Sequence, residues 1–355
     1  MLKKGVIMES IKGETFNEVM FVPQYSEVKS RSNISTLTDM GEFKLDLPLI
    51  SANMSDISGP KMVARMCKMG GLGILHRFGT IEENVSDFKE AERLIAAEGI
   101  YSNQPEWLTT EYSIGVSVGV KEYEKERFIA LYEAGANLFT VDVAHGHHIL
   151  VKEMIQFMRE RAGKNICIIA GNVATPEGAR DLREWGANIS KCGIGPGSCC
   201  MTRRNTGVGV GQLKAIRDIR QQYPDMVIIS DGGIKHYGDL PKALKYANAV
   251  MVGSLIAGTS ETPGHVYENE NGEHYKVYGG SASGERKVDN GGQNAFVEGV
   301  VKTVKFKGKA KYILQKAKES IQTCISYSGA DTLEEFRNAS VLVDISSGSK
   351  SESKL

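Results

Sequence analysis

Apolar residues along this chain fall in short runs, each followed by a stretch whose apolar positions recur at helical spacing. The runs "LPLISA" (47–52), "GLGILH" (71–76), "YSIGVSV" (112–118) and "LFTVDV" (138–143) predict four strands. "ICIIAG" (166–171), "NISKCG" (188–193), "MVIISDG" (226–232) and "AVMVGS" (249–254) predict four more. These runs are close to continuously apolar, as in parallel strands covered on both faces. Between them "EYEKERFIALYEAG" (122–135) and "TPEGARDLREWGA" (175–187) predict amphipathic helices. The second opens with Thr175 as N-cap and Pro176 at the first helical position, and stops at a glycine. Eight such units predict an α/β fold, a (β/α)8 TIM barrel forming a single domain over 1–355.

The pattern breaks after the eighth strand. From about 259 to 307 the chain is polar and glycine-rich and too long for an ordinary connection, which predicts a flap over the barrel mouth. "EHYKVYGG" within it is expected to form a strand of a small hairpin. The tail from about 346 to 355, "SSGSKSESKL", has no core-forming residues and is expected to fray. In a TIM barrel the chemistry sits at the carboxyl ends of the strands, and the polar clusters of this chain fall there. "DVAHGHH" follows strand four, "GIGPGSCCMTRRNTG" (193–207) strand six, "SDGGI" strand seven and "GSLIAG" strand eight.

Composition narrows the class. Acidic and basic residues balance at 43 each, which gives no electrostatic reason to expect nucleic acid or an anionic membrane. No apolar run approaches the roughly 20 residues that span a bilayer, and "MLKKGVIMES" lacks the core of a signal peptide. A cytoplasmic protein is expected. The closing "SKL" also matches a peroxisomal address, which a eukaryotic cell would read. The six cysteines are scattered and unlike a disulfide framework.

Four loops carry candidate chemistry. "DGG" (231–233) and "GS" (253–254) offer backbone N–H groups to a phosphate, with Ser254 and Ser198 adding hydroxyls, while Asp231 suits the two hydroxyls of a ribose. Together they point to a nucleoside monophosphate. Cys199 and Cys200 lie on a glycine loop with no apolar wall evident around them, so one thiol is a candidate nucleophile, with Thr202 close by for proton transfer. A flexible loop with incidental thiols is the alternative. The loop's inward carbonyls suit a large monovalent cation such as potassium. "HGHH" (145–148) is read as a cofactor contact anchored by Asp142 rather than as a metal site, because adjacent histidines rarely reach one ion.

These residues resemble the IMP dehydrogenase/GMP reductase family. "GIGPGSCCMTRRNTGVGVGQL" is similar to its cysteine loop, and "FVPQYSEVKSRSNIS" (21–35), "LISANM" (49–54), "SDGGI" and "GSLIAG" also match, so the resemblance spans nearly the whole chain. It implies that Cys200 attacks C2 of the purine to form a thioimidate, with Cys199 incidental. Met54, Ser198, Asp231, Gly232, Gly233, Gly253, Ser254, Gly280, Ser281 and Gly299 would hold the nucleotide. Asp142, Ala144, His145, Asn172 and Gly193 would face a nicotinamide cofactor, and the carbonyls of Gly195, Gly197 and Cys200 would hold K+. The resemblance also implies a homotetramer, in which a neighbouring subunit would supply part of the cofactor site.

Two chemistries share that intermediate: NADPH-dependent deamination of GMP to IMP, and NAD-dependent oxidation of IMP to XMP. The flap "GERKVDNGGQNAFVEG" (284–299) has Arg286 but no Arg-Tyr pair, and it has Glu298 where reductases place the partner of the loop threonine. "HRF" (76–78), "YGGSAS" (278–283) and "TCISYSG" (323–329) are similar to bacterial reductases. The resemblance therefore implies GMP reductase with Cys200, Thr202 and Glu298 catalytic. The alternatives are an IMP dehydrogenase and a non-catalytic purine nucleotide-binding barrel.

Overall fold

All eight apolar runs become parallel strands of one closed barrel, shown by a computed structural model that describes residues 14–97, 114–279 and 300–352. In chain order the strands are β1 (Val19–Val22), β2 (Thr38–Asp39), β3 (Lys44–Leu45), β4 (Leu49–Ser51), β5 (Leu72–Leu75), β6 (Ile114–Val118), β7 (Leu138–Asp142) and β8 (Cys167–Val173). They continue with β9 (Ile189–Cys192), β10 (Ile228–Asp231), β11 (Ala249–Val252), β12 (Tyr267–Glu268), β13 (His274–Gly279), β14 (Val301–Lys305) and β15 (Val341–Asp344). The barrel runs β4 through β11 and closes where Val252 of β11 pairs with Ser51 of β4.

Helices α1 (Pro60–Lys68), α2 (Ile81–Ala97), α3 (Glu122–Glu133), α4 (Ile149–Ala162), α5 (Pro176–Trp185), α6 (Thr202–Thr206), α7 (Gln212–Gln222) and α8 (Asp239–Leu244) lie among the barrel strands, and a long helix over Ala310–Tyr327 follows the flap. The α5 start is as read from sequence: Thr175 accepts from the Gly178 amide at 3.2 Å, Pro176 begins the helix, and Gly186 ends it. Close packing needs glycine at one point. A Cβ on Gly73 of β5 would lie 2.4 Å from Val63 Cα, so α1 rests directly on the strand.

Two pairings outside the barrel were not evident in the sequence. β1 pairs antiparallel with β15, joining distant parts of the chain, and β2 pairs with β3 in a small hairpin. The expected hairpin strand of the flap is β13, placed between β12 and β14 in a three-stranded antiparallel sheet. The tail read as frayed carries β15 just before it and a short helix over Ser347–Glu352, while the "SKL" residues lie outside the described ones. Among the described residues no helix is long and apolar enough to cross a membrane.

Candidate active site

The cysteine loop leaves β9 and turns back at α6. Cys200 is exposed there, and its Sγ lies 3.1 Å from Thr202 Oγ1, so the expected nucleophile and proton carrier are within hydrogen-bond distance. Cys199 behaves differently from the sequence reading. It is 3 % exposed and does have a packed wall: its Sγ points to the Tyr278 carbonyl of β13 at 4.0 Å, and its own carbonyl accepts from the Val300 amide at 3.1 Å. The wall comes from the flap stem, about eighty residues further along, where local sequence gives no sign of it. Cys199 thus fixes the loop to the stem.

The loop carbonyls differ in occupancy. That of Gly197 accepts the Cys200 amide at 3.0 Å, and among the described residues none is bonded to those of Gly195 and Cys200. The Arg203 guanidinium spans the same loop, donating to Ile194 O at 3.0 Å and to Val210 O.

The two glycine turns meet the loop at one wall. Gly232 and Gly233 both have φ near +82°, a left-handed conformation that favours glycine. A Cβ on Gly232 would meet Pro196 at 3.2 Å and the Gly197 amide at 3.3 Å, so this turn packs on the cysteine loop. Around Gly253, the Tyr278 hydroxyl and the Met54 sulfur stand 3.1 and 3.7 Å from the site a Cβ would take. Tyr278 is 3 % exposed, burial holds its hydroxyl above the ordinary tyrosine range, and Ser198 is a hydrogen-bonding neighbour. Ser254 follows in the same turn, its Oγ 3.4 Å from the Ile234 carbonyl. Met54, Ser198, Gly232, Gly233, Gly253 and Ser254 thus lie around the two glycine turns, and Asp231 directly precedes Gly232. Tyr278 joins them; in the sequence it fell in a hairpin strand and at the start of "YGGSAS", with no site role of its own.

Beside these turns, at the carboxyl ends of β7 to β10, one buried lysine organises the polar groups. Lys191 of β9 is 1 % exposed and donates to Asp142 Oδ1 at 2.8 Å, to Asp231 Oδ2 at 3.1 Å and to Asn172 Oδ1. Asn172 donates to Asp231 Oδ2 and to the Gly193 carbonyl, both at 2.7 Å. Burial opposes the lysine's charge, but Asp142 and Asp231 outweigh it and hold the ammonium above its ordinary value. Burial likewise opposes ionisation of Asp142, and Lys191 reverses the balance, keeping that carboxyl below the usual range. Sequence reading missed Lys191. The available signal was a lone cation inside an otherwise apolar barrel strand.

The "HGHH" loop divides its histidines. His147 bonds Asp181 at 2.7 Å and packs on Trp185, and His148 caps α4 by accepting from the Leu150 amide at 3.2 Å. Ala144 and His145 are exposed near Asp142, and Gly146 links the loop back to the Asn172 carbonyl at 2.7 Å. Glu298, Gly280, Ser281, Gly299 and Arg286 lie outside the described residues.

A closed eight-stranded parallel barrel with its polar loops collected at the carboxyl ends of the strands is a TIM barrel, the class of fold that holds ligands at that mouth. The chain belongs to the IMP dehydrogenase/GMP reductase family, whose domain matches residues 13–355. It is 36% identical to a GMP reductase of Bacillus subtilis over 333 residues, covering 92% of this chain and 95% of that one. A GMP reductase of Streptococcus agalactiae is 34% identical over 331 residues, with 92% and 94% covered. Among solved structures, a cysteine-to-alanine variant of GMP reductase from Trypanosoma brucei, in complex with guanosine 5′-monophosphate, superposes with a TM-score of 0.88 at 25% identity, covering 98% of each chain.

Proposed function

We propose that this protein is a GMP reductase, an oxidoreductase that deaminates GMP to IMP and ammonia with NADPH. The observation that carries the reading is the exposed Cys200 thiol, 3.1 Å from Thr202 and on the loop packed against the two glycine turns. The curated relatives named GMP reductase support it.

In this reading the backbone of Gly232, Gly233 and Gly253 and the hydroxyls of Ser198, Ser254 and Tyr278 hold the phosphate. Asp231 accepts from the ribose, and Met54 lies against the base. Cys200 Sγ attacks C2 of the purine, the C2–N bond breaks, and the amine leaves as ammonia. The purine is left as a thioimidate on Cys200. Thr202 delivers the proton that the leaving amine needs, with Glu298 as the relay the resemblance assigns. Asp142, Ala144, His145, Asn172 and Gly193 would face the nicotinamide cofactor, which would supply a hydride to C2; the C2–S bond then breaks, freeing IMP and returning Cys200 as its thiolate. The carbonyls of Gly195, Gly197 and Cys200 suit K+, and a homotetramer is the assembly we assign.

The test is direct. Purified protein given GMP and NADPH loses nicotinamide absorbance with equimolar release of ammonia and IMP. Steady conversion of IMP and NAD to XMP without ammonia makes it the dehydrogenase instead, and no turnover of either pair leaves a binding barrel.

A further inference from the structure

Lys191 is the only ammonium joined to both the cofactor-side and the ribose-side carboxylates among the described residues. An ammonium has three protons to donate, and Asp142, Asn172 and Asp231 take all three. It therefore has no donor left for a ligand and acts only through its partners. Stability does not account for it, since buried ion clusters are often matched or bettered by apolar residues of similar volume.

Its partners come from three further strands: Asp142 ends β7, Asn172 lies in β8 and Asp231 ends β10. At Asp231, Lys191 and Asn172 both bond Oδ2, so the carboxylate is held on one side. The side chain keeps 22% of its surface exposed, and among the described residues both of its bonds fall on Oδ2 and none on Oδ1. A carboxylate free to rotate would offer either oxygen and lose orientational entropy on binding, whereas this one is fixed beforehand.

We propose that Lys191 is the positioning residue of ribose recognition, pinning Asp231 so that its outer oxygen accepts from the sugar hydroxyls. The same ammonium ties that carboxylate to Asp142 on the cofactor side. The inference rests on the reading that the nucleotide's ribose lies on Asp231.

The experiment compares GMP with 2′,3′-dideoxyguanosine 5′-monophosphate by titration calorimetry on the full chain. The wild type is expected to prefer GMP by roughly 10- to 100-fold, the scale of a charge-assisted hydrogen bond. Lys191→Met alone leaves two facing carboxylates and risks unfolding. Lys191→Met combined with Asp142→Asn keeps the net charge of the cluster, and Asp142→Asn alone is the control. In the double variant the preference for GMP collapses to within about threefold while the dideoxy nucleotide binds as to the wild type. The control keeps its preference. A double variant that still discriminates overturns the proposal, as does one that weakens both nucleotides equally, which marks a merely structural role. A wild type that binds neither nucleotide overturns the GMP reading and this role with it.

Discussion

A thiol reacts according to its thiolate fraction and its exposure, and adjacent Cys199 and Cys200 part company on exposure. Burial raises the thiols of Cys167 and Cys199 and pushes those of Cys192 and Cys324 up to about 12, which leaves them protonated at neutral pH. Cys200 alone is exposed. Brief iodoacetamide treatment should therefore label Cys200 before the other five, as peptide mass spectrometry can read, and GMP should slow that labelling. Cys200→Ala is expected to abolish turnover and keep nucleotide binding, because the phosphate and ribose contacts we propose lie on other residues. Cys199→Ala should lower stability by about 1 kcal/mol through the lost packing, with turnover retained. Full activity in the Cys200 variant rules out the covalent route. Glu298 is probed separately: Glu298→Gln keeps the shape but carries no proton, so deamination should slow by roughly 100-fold or more. A single early burst of NADPH from IMP, NADP and excess ammonia should survive in that variant, because hydride transfer does not need the relay. Loss of the burst together with turnover assigns Glu298 a different role.

At the scale of elements, the helix over Ala310–Tyr327 begins where the flap ends, and its start is held by Glu261. The Glu261 carboxylate accepts from the Ala310 amide at 2.8 Å and from Arg65 of α1 at 3.0 Å, joining the first and last helices of the barrel ring. Burial works against its charge, yet the Ala310 amide, Ser260 and Arg65 together keep its pKa below the ordinary 4.5. A carboxyl depressed in the folded state adds stability that is fully present above its unfolded pKa and disappears as pH falls through the folded value. Glu261→Gln should thus cost about 1–3 kcal/mol in urea unfolding at neutral pH. The gap between variant and wild type should narrow as pH drops below 4.5, and a gap that ignores pH shows that packing alone is at work. The barrel elements themselves were readable because each apolar run is local and continuous. Glu261 was not, since its partners Arg65 and Ala310 lie far away in sequence and a glutamate among "TSETPG" looks like any loop charge. The burial of Cys199 was hidden for the same reason, and so were the partners of Lys191, although its lone charge in an apolar strand was visible. In each case the decisive neighbour arrives only when the barrel closes.

The whole molecule adds a link between its outlying segments and its mouth. β1 pairs with β15 from Val19 opposite Asp344 to Val22 opposite Val341, the Ile345 amide continues the pairing to the Glu18 carbonyl at 2.9 Å, and Phe21 packs on Phe336 at 5.1 Å. Neither strand announced itself, because both are short, partly exposed and separated by most of the chain. Just before β1, Phe16 is buried at 2 % and stands 3.4 Å from where a Cβ on Gly233 would sit, with its carbonyl bonded by Lys242 at 2.9 Å. Glu14 bonds the Lys214 amide of α7 through its carbonyl at 3.2 Å and pairs with Arg217. The segment that β15 holds in place is thus the one that backs the Gly232–Gly233 turn, where we propose the phosphate binds. Removing residues 341–355 takes away the strand that holds β1 in register, whereas removing 347–355 leaves every pair of the β1–β15 ladder intact. The longer truncation should lower Tm by about 5 °C and weaken GMP binding on the order of tenfold, because the backed conformation of the turn is then only fractionally populated. The shorter truncation should match the full chain on both counts. Equal GMP affinity in the two truncated forms, with the expected fall in Tm in the longer one, means that the clasp stabilises the barrel without reaching its mouth.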